Sequence, residues 1–298
     1  MPSTKEIRRR IKSIKSTRQI TKAMELVSAA KMRKAQMQTL ATRAYAKYAW
    51  QLVQNLTVKA DPRIHALLRP PKQNGRALMV VMSSNRGLIG AFNNHITEAA
   101  NAYARKFVGV DVITLGKKSR DSLKKLDFQI VADFEKKDTT NSVMDINILS
   151  QMVISEFVSG KYDRVALVYM DFISTLQQKP HVLELLPLKQ PDPSLGMMSA
   201  EGDDEFTPSF EDFDYTFEPS AQFVLEEVLP RLTIMQVYQA LLETNAAEHS
   251  ARMVAMKNAS DAAGDLLTDL TLEYNKLRQA NITKEISEIV AGKLALTN

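Results

Sequence analysis

Residues 253–277, MVAMKNASDAAGDLLTDLTLEYNKL, have the pattern that decides the fold. Their apolar and small side chains recur at steps of three and four, which places them in a narrow stripe along one face of a helix. Such a stripe indicates a helix that winds around one partner helix. The predicted seam consists of Met253, Met256, Ala259, Ala263, Leu266, Leu270, Tyr274 and Leu277.

A second segment with the same spacing lies at the opposite end of the chain. Its apolar residues form two successive triplets with steps of four and three: Ile7, Ile11 and Ile14, then Ile20, Met24 and Val27. Neither helix can bury its stripe alone. We therefore expect helices at about residues 4–57 and 219–291 to pair as an antiparallel coiled coil.

The middle of the chain has a different pattern, in which apolar runs alternate with helical stretches. The predicted strands are 77–82, 110–115, 128–131, 165–170 and 182–186, and the predicted helices are 90–107, 117–126 and 141–159. Strands that are apolar on both faces indicate a mostly parallel, Rossmann-like α/β sheet covered by helices. We expect a shaft from residues 1–57 and 219–298, an α/β foot domain at 76–187, and an acidic loop at 188–218.

Composition restricts the class of protein. The chain has 298 residues, of which 45% are hydrophobic and 24% charged, and it has no cysteine, so disulfides and cysteine metal sites are excluded. Its four histidines are far apart and predict no metal site: His65, His95, His181 and His249. No apolar run reaches the ~18–20 residues of a membrane span, and we expect no secretory signal. The basic start leaves a mitochondrial presequence as an alternative, which the seam in that segment disfavours.

The net charge of +5 hides two opposite regions. Between Lys5 and Lys34 there are eleven basic residues and two acidic ones, a balance of 11 − 2 = +9, whereas residues 201–218 contain eight carboxylates and no base. The basic segment is either a solvated helix face or a contact for an acidic surface. The first 44 residues contain no aromatic residue for base stacking, so an acidic protein is favoured over a nucleic acid.

The turn after the first predicted strand is a weak match to a nucleotide-binding loop. The segment Arg86-Gly-Leu-Ile-Gly90 lacks the third glycine of a dinucleotide motif, and Gly116-Lys-Lys118 lacks the Ser or Thr of a phosphate loop. We interpret both as tight strand-to-helix turns. No catalytic triad, carboxylate pair or metal motif is apparent, and we predict no catalytic, cofactor-binding or metal-binding residues.

Several blocks along the chain closely resemble the γ subunit of F-type ATP synthases of bacterial type. The blocks are Lys5–Arg8, Ile20–Arg33, Ser84–Leu88 with Phe92-Asn93, Gln236–Leu241, Glu248–Ala259, Tyr274–Ala280 and Ile282–Val290. They follow the order and spacing of that family over the whole chain. Asn85 stands where the family commonly has Asp, which questions an ionic role for that loop.

The resemblance implies a central rotor shaft that couples ion flow through the membrane sector to ATP synthesis on the β subunits. The tip of the coiled coil would lie in the bore of the α/β hexamer, and the foot would contact the c-subunit ring and the ε subunit. The chain would be non-catalytic, without a transmembrane segment, and peripheral on the cytoplasmic side of the bacterial cell membrane.

The resemblance also implies the residues that contact these partners. Those expected to face the α/β hexamer are Met24, Lys31, Arg33, Lys34, Arg278, Gln279, Thr283 and Glu285. Arg252 is expected to act in rotor coupling, and Glu218 to lie near the ring. The residues alone leave two further hypotheses open: a stand-alone basic coiled-coil adaptor or nucleic-acid-binding protein, and a small α/β enzyme with helical extensions.

Overall fold

The computed structural model describes residues 3–59, 65–71, 75–137, 142–188, 218 and 220–297, and only the backbone of 43–59, 221, 292 and 294–297. A 3₁₀ turn, Ala66–Leu68, precedes the sheet. The helices within this part of the chain are α1 (Thr4–Lys59), α2 (Phe92–Ala104), α3 (Lys117–Lys124), α4 (Met144–Val158) and α5 (Ala221–Thr297). The strands are β1 (Ala77–Met82), β2 (Val110–Leu115), β3 (Gln129–Phe134), β4 (Arg164–Phe172) and β5 (Gln178–Leu186).

The predicted combination of long terminal helices and an inserted α/β sheet is confirmed. The five strands lie in the order β3-β2-β1-β4-β5. β1 pairs in parallel with both β2 and β4, β2 pairs in parallel with β3, and β5 joins β4 as an antiparallel edge strand. β1 is central, which explains why all six of its residues are buried.

Alternate residues of β1 pack against the helical layers on opposite faces of the sheet, because successive side chains of a strand point to opposite faces. Leu78, Val80 and Met82 belong to one apolar core with α4 and the first turns of α5. Helices α2 and α3 pack against each other and cover the other face, with Ile96, Ala100 and Leu123 completely buried. The sheet is therefore covered on both sides, as the apolar strands predicted.

The chain forms two compact units: residues 1–27 with 253–298, and residues 28–252. The second unit contains the sheet, and within it α5 contributes Leu225, Leu229, Leu232, Tyr238 and Leu242 to the core. This part of α5 lies inside the range 219–298 that the sequence analysis assigned to the shaft. The acidic loop predicted at 188–218 lies outside the described residues except for Leu188 and Glu218.

In the first unit, α1 and the later part of α5 pair as predicted, but α1 uses a different seam. Ile7 is 1% exposed and Ile11 and Ile14 are half-buried, whereas Ile20 and Val27 are 58% and 56% exposed. The prediction for Ile20 and Val27 was wrong. The steps of four and three that begin at Ile7 lead to Thr21, which is buried. Its hydroxyl donates to the carbonyl of Arg18 at 3.0 Å and is thereby satisfied inside the seam.

The α5 seam also differs from its prediction at two positions. Leu266 is 51% exposed and Leu267 is half-buried, so the prediction for Leu266 was wrong. The spacing runs through the buried Ser260 and Ala263 to Leu267, whereas the predicted seam contained Ala259, which is more apolar than Ser260, and Leu266. The observed positions are Met253, Met256, Ser260, Ala263, Leu267, Leu270, Tyr274 and Leu277, a repeat of three and four without interruption.

Candidate functional site

The turn from β2 into α3 lies at the carboxyl edge of the parallel sheet and contains Gly116-Lys-Lys118, one of the two weak matches to a nucleotide-binding loop. Each backbone N–H of this turn donates within the protein. The N–H groups of Lys117, Lys118 and Ser119 donate to Asn85 Oδ1, the Ser84 carbonyl and Ser83 Oγ at 3.3, 3.0 and 2.8 Å. Those of Gly116 and Arg120 donate to the carbonyls of Phe134 and Gly116. The turn therefore offers no free backbone N–H to a phosphate, which supports its interpretation as a structural turn.

Gly116 is required by this arrangement. Its φ angle of 111° lies in a region that residues with a side chain rarely adopt, and a Cβ atom would lie 2.5 Å from the carbonyl oxygen of Ser83. The loop after β1 thus reaches the start of α3 only because this position has no side chain.

Asn85 connects three segments at the same edge. Its Oδ1 accepts from the N–H of Lys117, and its Nδ2 donates to the carbonyl of Lys136 at 2.6 Å. A carboxylate could accept the first bond but could not donate the second. The amide of Asn85 therefore acts as both donor and acceptor in the fold. Through the donated bond, Asn85 fixes the backbone of Lys136 just beyond β3.

The Lys136 side chain ends in a buried ion-pair network with α5. Its Nζ donates to Glu248 Oε2 at 2.6 Å, and the other carboxylate oxygen accepts from Arg252 Nη2 at 2.7 Å. Arg252 Nη1 also lies 3.4 Å from His249 Nδ1. Lys136 and Glu248 are 3% and 7% exposed, so this is an ion pair inside the protein and not a surface contact.

The charge state of Glu248 follows from its neighbours. Burial alone would raise the pKa of its carboxyl, but the charges of Lys136 and Arg252, and the hydrogen bonds they donate, lower the pKa to about 2. Glu248 is therefore a carboxylate at any neutral pH. Removing one partner of such a buried pair typically costs about 3–5 kcal/mol, because the remaining charge stays away from water.

The ion-pair network contains Arg252, which is predicted to act in rotor coupling. Lys136 and Glu248 were not identified in the sequence, although Glu248 opens one of the resembling blocks. Lys136 is separated from Glu248 by 112 residues, so no local spacing could have paired them. The available signal was the place of Lys136 two residues after β3, at the carboxyl edge of the sheet, where side chains from different strands meet.

The predicted contact residues at the end of α5 all lie on one exposed face. Every described side chain from Arg278 to Ala291 is exposed, including the large apolar Ile282, Ile286, Ile289 and Val290. At 3.6 residues per turn, these apolar residues fall within an arc of about 160° together with Arg278, Gln279, Thr283 and Glu285. The four predicted residues thus border an apolar stripe that no described residue covers.

The residues predicted on α1 have mixed exposure. Met24 and Lys31 are half-buried, whereas Arg33 and Lys34 are exposed. Glu218, predicted to lie near the ring, is exposed. Within the described ranges, no three His, Asp or Glu side chains are grouped so that they could hold a metal ion, and no helix is long and apolar enough to cross a membrane.

The class of protein defined by this fold is a coiled coil of two terminal helices with an inserted α/β domain. Residues 3–296 match the family model described as ATP synthase. The chain is 45% identical over 303 residues to the ATP synthase gamma chain of Roseiflexus sp. (strain RS-1), covering 99% of each chain. It is 41% identical to that of Chloroflexus aurantiacus (strain ATCC 29366 / DSM 635 / J-10-fl) over 304 residues, with full coverage of both. The chain belongs to the ATP synthase gamma chain family.

Two solved structures show the same fold at low sequence identity. One is the Euglena gracilis mitochondrial ATP synthase in rotational state 3, with a TM-score of 0.65 and 20% identity, covering 98% of this chain and 94% of that one. The other is the central stalk and c-ring of the Tetrahymena thermophila mitochondrial ATP synthase, with a TM-score of 0.59 and 22% identity, covering 81% and 99%.

Proposed function

We propose that the chain is the central rotor shaft of an F-type ATP synthase of bacterial type, which couples ion flow through the membrane sector to ATP synthesis on the β subunits. Full-length membership of the gamma chain family carries this proposal. The alternatives, a stand-alone adaptor or nucleic-acid-binding protein and a small α/β enzyme, have no support of this kind.

The two paired helices suit a shaft that transmits torque. Knobs-into-holes packing along a seam resists sliding and twisting of one helix against the other, because each side chain fits between four of its partner. The stripe formed by Ile282, Ile286, Ile289 and Val290, hereafter the tip stripe, continues α5 beyond the start of α1 and is available to another protein. In the proposed rotor the tip stripe turns inside the bore of the α/β hexamer.

The finer assignments belong to the same proposal. Arg278, Gln279, Thr283 and Glu285 border the tip stripe and contact the hexamer from its edges. Met24, Lys31, Arg33 and Lys34 form a second contact, on α1, with an acidic surface of β. Glu218 and the α/β foot at 76–187 face the c-subunit ring and the ε subunit. The other parts of the proposed rotor are the shaft at 1–57 and 219–298 and the acidic loop at 188–218.

The chain itself is non-catalytic in this proposal, and it lies on the cytoplasmic side of the bacterial cell membrane as a peripheral subunit. The N–H groups at the start of α3 already have partners within the protein, so this turn has no free backbone donor for a phosphate. ATP is bound and made on the β subunits, and ion transport takes place in other chains.

Reconstitution tests the proposal. The purified chain should not hydrolyse ATP, and it should confer rapid hydrolysis on a mixture of α and β subunits with which it co-purifies. ATP turnover by the chain alone, above the background of a preparation without it, would contradict a non-catalytic role. Failure to co-purify with α and β would refute the rotor assignment.

A further inference from the structure

Helix α5 changes character where it leaves the apolar core of the sheet unit. Up to Leu242 its buried residues are mainly Leu, Val and Ala. In the next turns the buried side chains are mostly polar, and they include Glu243, Thr244, Asn245, Glu248, His249 and Ser250. Polar side chains are buried at a cost unless they are hydrogen-bonded, so these turns are held by directional contacts.

Two of these contacts hold α5 from opposite sides. Glu248 accepts a hydrogen bond from Lys136 Nζ at 2.6 Å, while Ser250 Oγ donates to the carbonyl of Thr175 at 2.7 Å. Two residues along a helix are separated by about 200° around its axis. The loop after β3 therefore holds one face of α5, and the hairpin between β4 and β5 holds the opposite face.

Both anchors are themselves fixed to the sheet. The carbonyl of Lys136 accepts from Asn85 Nδ2, and Asn85 in turn accepts from the N–H of Lys117 at the start of α3. Thr175 lies in the hairpin, whose carbonyls at Ser174 and Thr175 accept from Gln178 Nε2 at 3.1 and 3.0 Å. The contacts to α5 thus start from backbone that is already held in place.

Hydrogen bonds and ion pairs on opposite faces of α5 restrain rotation of this helix about its own axis, which apolar packing resists less. A helix turning about its own axis exchanges one apolar neighbour for another, but it moves a carboxylate or hydroxyl out of hydrogen-bond range. An ion pair that is buried also has no water to replace the lost partner. The two contacts therefore fix the angle of α5 about its axis relative to the sheet.

We propose that Lys136, through Glu248, and Thr175, through Ser250, lock α5 against rotation in the α/β unit, and that Lys136 is a positioning residue for torque transmission. α5 is one uninterrupted helix from Ala221 to Thr297, so an angle imposed at Glu248 is passed along its backbone. The inference rests on the proposed rotor function, in which torque enters through the foot and leaves through the helices.

The test compares three variants of the chain in the reconstituted, membrane-embedded complex. Lys136→Met removes the ammonium but keeps most of the length of the side chain, and Lys136→Arg keeps a cationic donor. The matched control is Asp111→Asn. Asp111 is 4% exposed and accepts from Arg76 and Tyr162 at 2.8 and 2.6 Å, in the same unit but without α5. For each variant, ATP hydrolysis, ion pumping and thermal unfolding of the chain are measured.

Lys136→Met and Asp111→Asn should both lower the melting temperature, because each disturbs the ion pair of a buried carboxylate. Assayed well below that temperature, only Lys136→Met should lose ion pumping per ATP hydrolysed, and Lys136→Arg should restore most of it. If Lys136→Met and Asp111→Asn pump the same number of ions per ATP hydrolysed, the inference is overturned and Lys136 has a stabilising role only. A wild-type chain that supports no coupled pumping would instead refute the proposed function.

Discussion

Both polar atoms of the Asn85 side-chain amide are hydrogen-bonded. The oxygen accepts from the N–H of Lys117, and the nitrogen donates to the carbonyl of Lys136. Asn85→Asp replaces the donor by a second carboxylate oxygen that faces a carbonyl. We expect a loss of about 1–3 kcal/mol in the free energy of unfolding, the cost of leaving a partly buried group unsatisfied. Denaturant unfolding of the isolated chain measures it.

The matched control for this prediction is Asn94→Asp. Asn94 is exposed in the first turn of α2, where a carboxylate interacts favourably with the helix dipole. We expect its free energy of unfolding to stay within about 0.5 kcal/mol of wild type. Equal losses in the two variants would show that the bond from Asn85 to Lys136 contributes nothing specific.

The lowered pKa of Glu248 predicts that the stability of the folded chain depends on pH in the acid range. Its pKa is lowered from 4.5 to about 2 in the folded chain by Lys136 and Arg252, which together outweigh the opposing effect of burial. Below about pH 4.5 the unfolded state binds a proton that the folded state still lacks. The stabilisation is therefore fully present above about pH 5 and is lost as the pH falls towards 2.

Comparison of the wild-type chain with Glu248→Gln isolates this effect. The variant cannot take up the proton, so its stability should fall less steeply between pH 5 and pH 2, although it starts from a lower value at pH 7. Unfolding curves at a series of pH values provide the measurement. Parallel pH profiles of the two proteins would contradict a lowered pKa at Glu248.

At the scale of elements, the α5 seam distinguishes two adjacent leucines. Leu267 is a half-buried seam residue, whereas Leu266 is 51% exposed. Leu267→Ala should destabilise the coiled coil by about 1–3 kcal/mol, somewhat less than the 2–5 kcal/mol of a fully buried leucine. Leu266→Ala should cost about 0.5 kcal/mol or less.

Thermal unfolding of the isolated chain separates the two variants. In the reconstituted complex, Leu267→Ala should also pump fewer ions per ATP, because a weakened seam transmits less torque. A lower melting temperature for Leu266→Ala than for Leu267→Ala would mean that the seam follows the order predicted from the sequence and not that of the structure.

The tip stripe predicts a second contrast between neighbours. Ile286 lies in the stripe, whereas Ser287 lies outside it, about 100° further around the axis of α5, and both are exposed. Ile286→Asp should leave the stability of the isolated chain nearly unchanged but weaken its association with α and β, since a charge would enter an apolar contact. Ser287→Asp should be close to wild type in both. If the two variants bind α and β equally well, the stripe is not the contact surface.

At the scale of the whole molecule, opposite charges are concentrated in different parts of the chain. The segment from Lys5 to Lys34 has a balance of +9, whereas residues 201–218 contain eight carboxylates and no base. Charge segregation of this kind has little influence on the fold and acts mainly on association with partners. The function of the basic segment should therefore appear in the complex.

Replacing Lys31, Arg33 and Lys34 together by Glu should impair assembly or torque coupling more than folding. Exposed charge pairs are typically worth ~0–1 kcal/mol, so the melting temperature should change little, whereas repulsion from an acidic β surface would act on binding. The control places the same change of charge on and just after α3, at Lys118, Lys124 and Lys125, which are all exposed. Normal assembly and wild-type hydrolysis at low salt would show that the α1 cluster is only a solvated face.

Local patterns in the sequence were enough to predict the helices, the strands and the fold class. Steps of three and four, and apolar runs of five or six residues, are properties of adjacent residues that a single element imposes on itself. They placed β1 and β2 at their observed bounds and predicted the pairing of the terminal helices. The resembling blocks along the chain, among them Ile20–Arg33 and Glu248–Ala259, identified the family.

The seam register and the polar contacts at the sheet edge were decided by the tertiary structure. Thr21 and Ser260 are buried in place of the more apolar Ile20 and Ala259, because the partner helix fixes which face is covered and a small or satisfied polar residue fits there. Lys136 meets Glu248 only because the strand order brings the end of β3 beside α5. Such contacts join residues far apart in the chain, and their energy depends on burial, which is a property of the packed fold and not of any local segment.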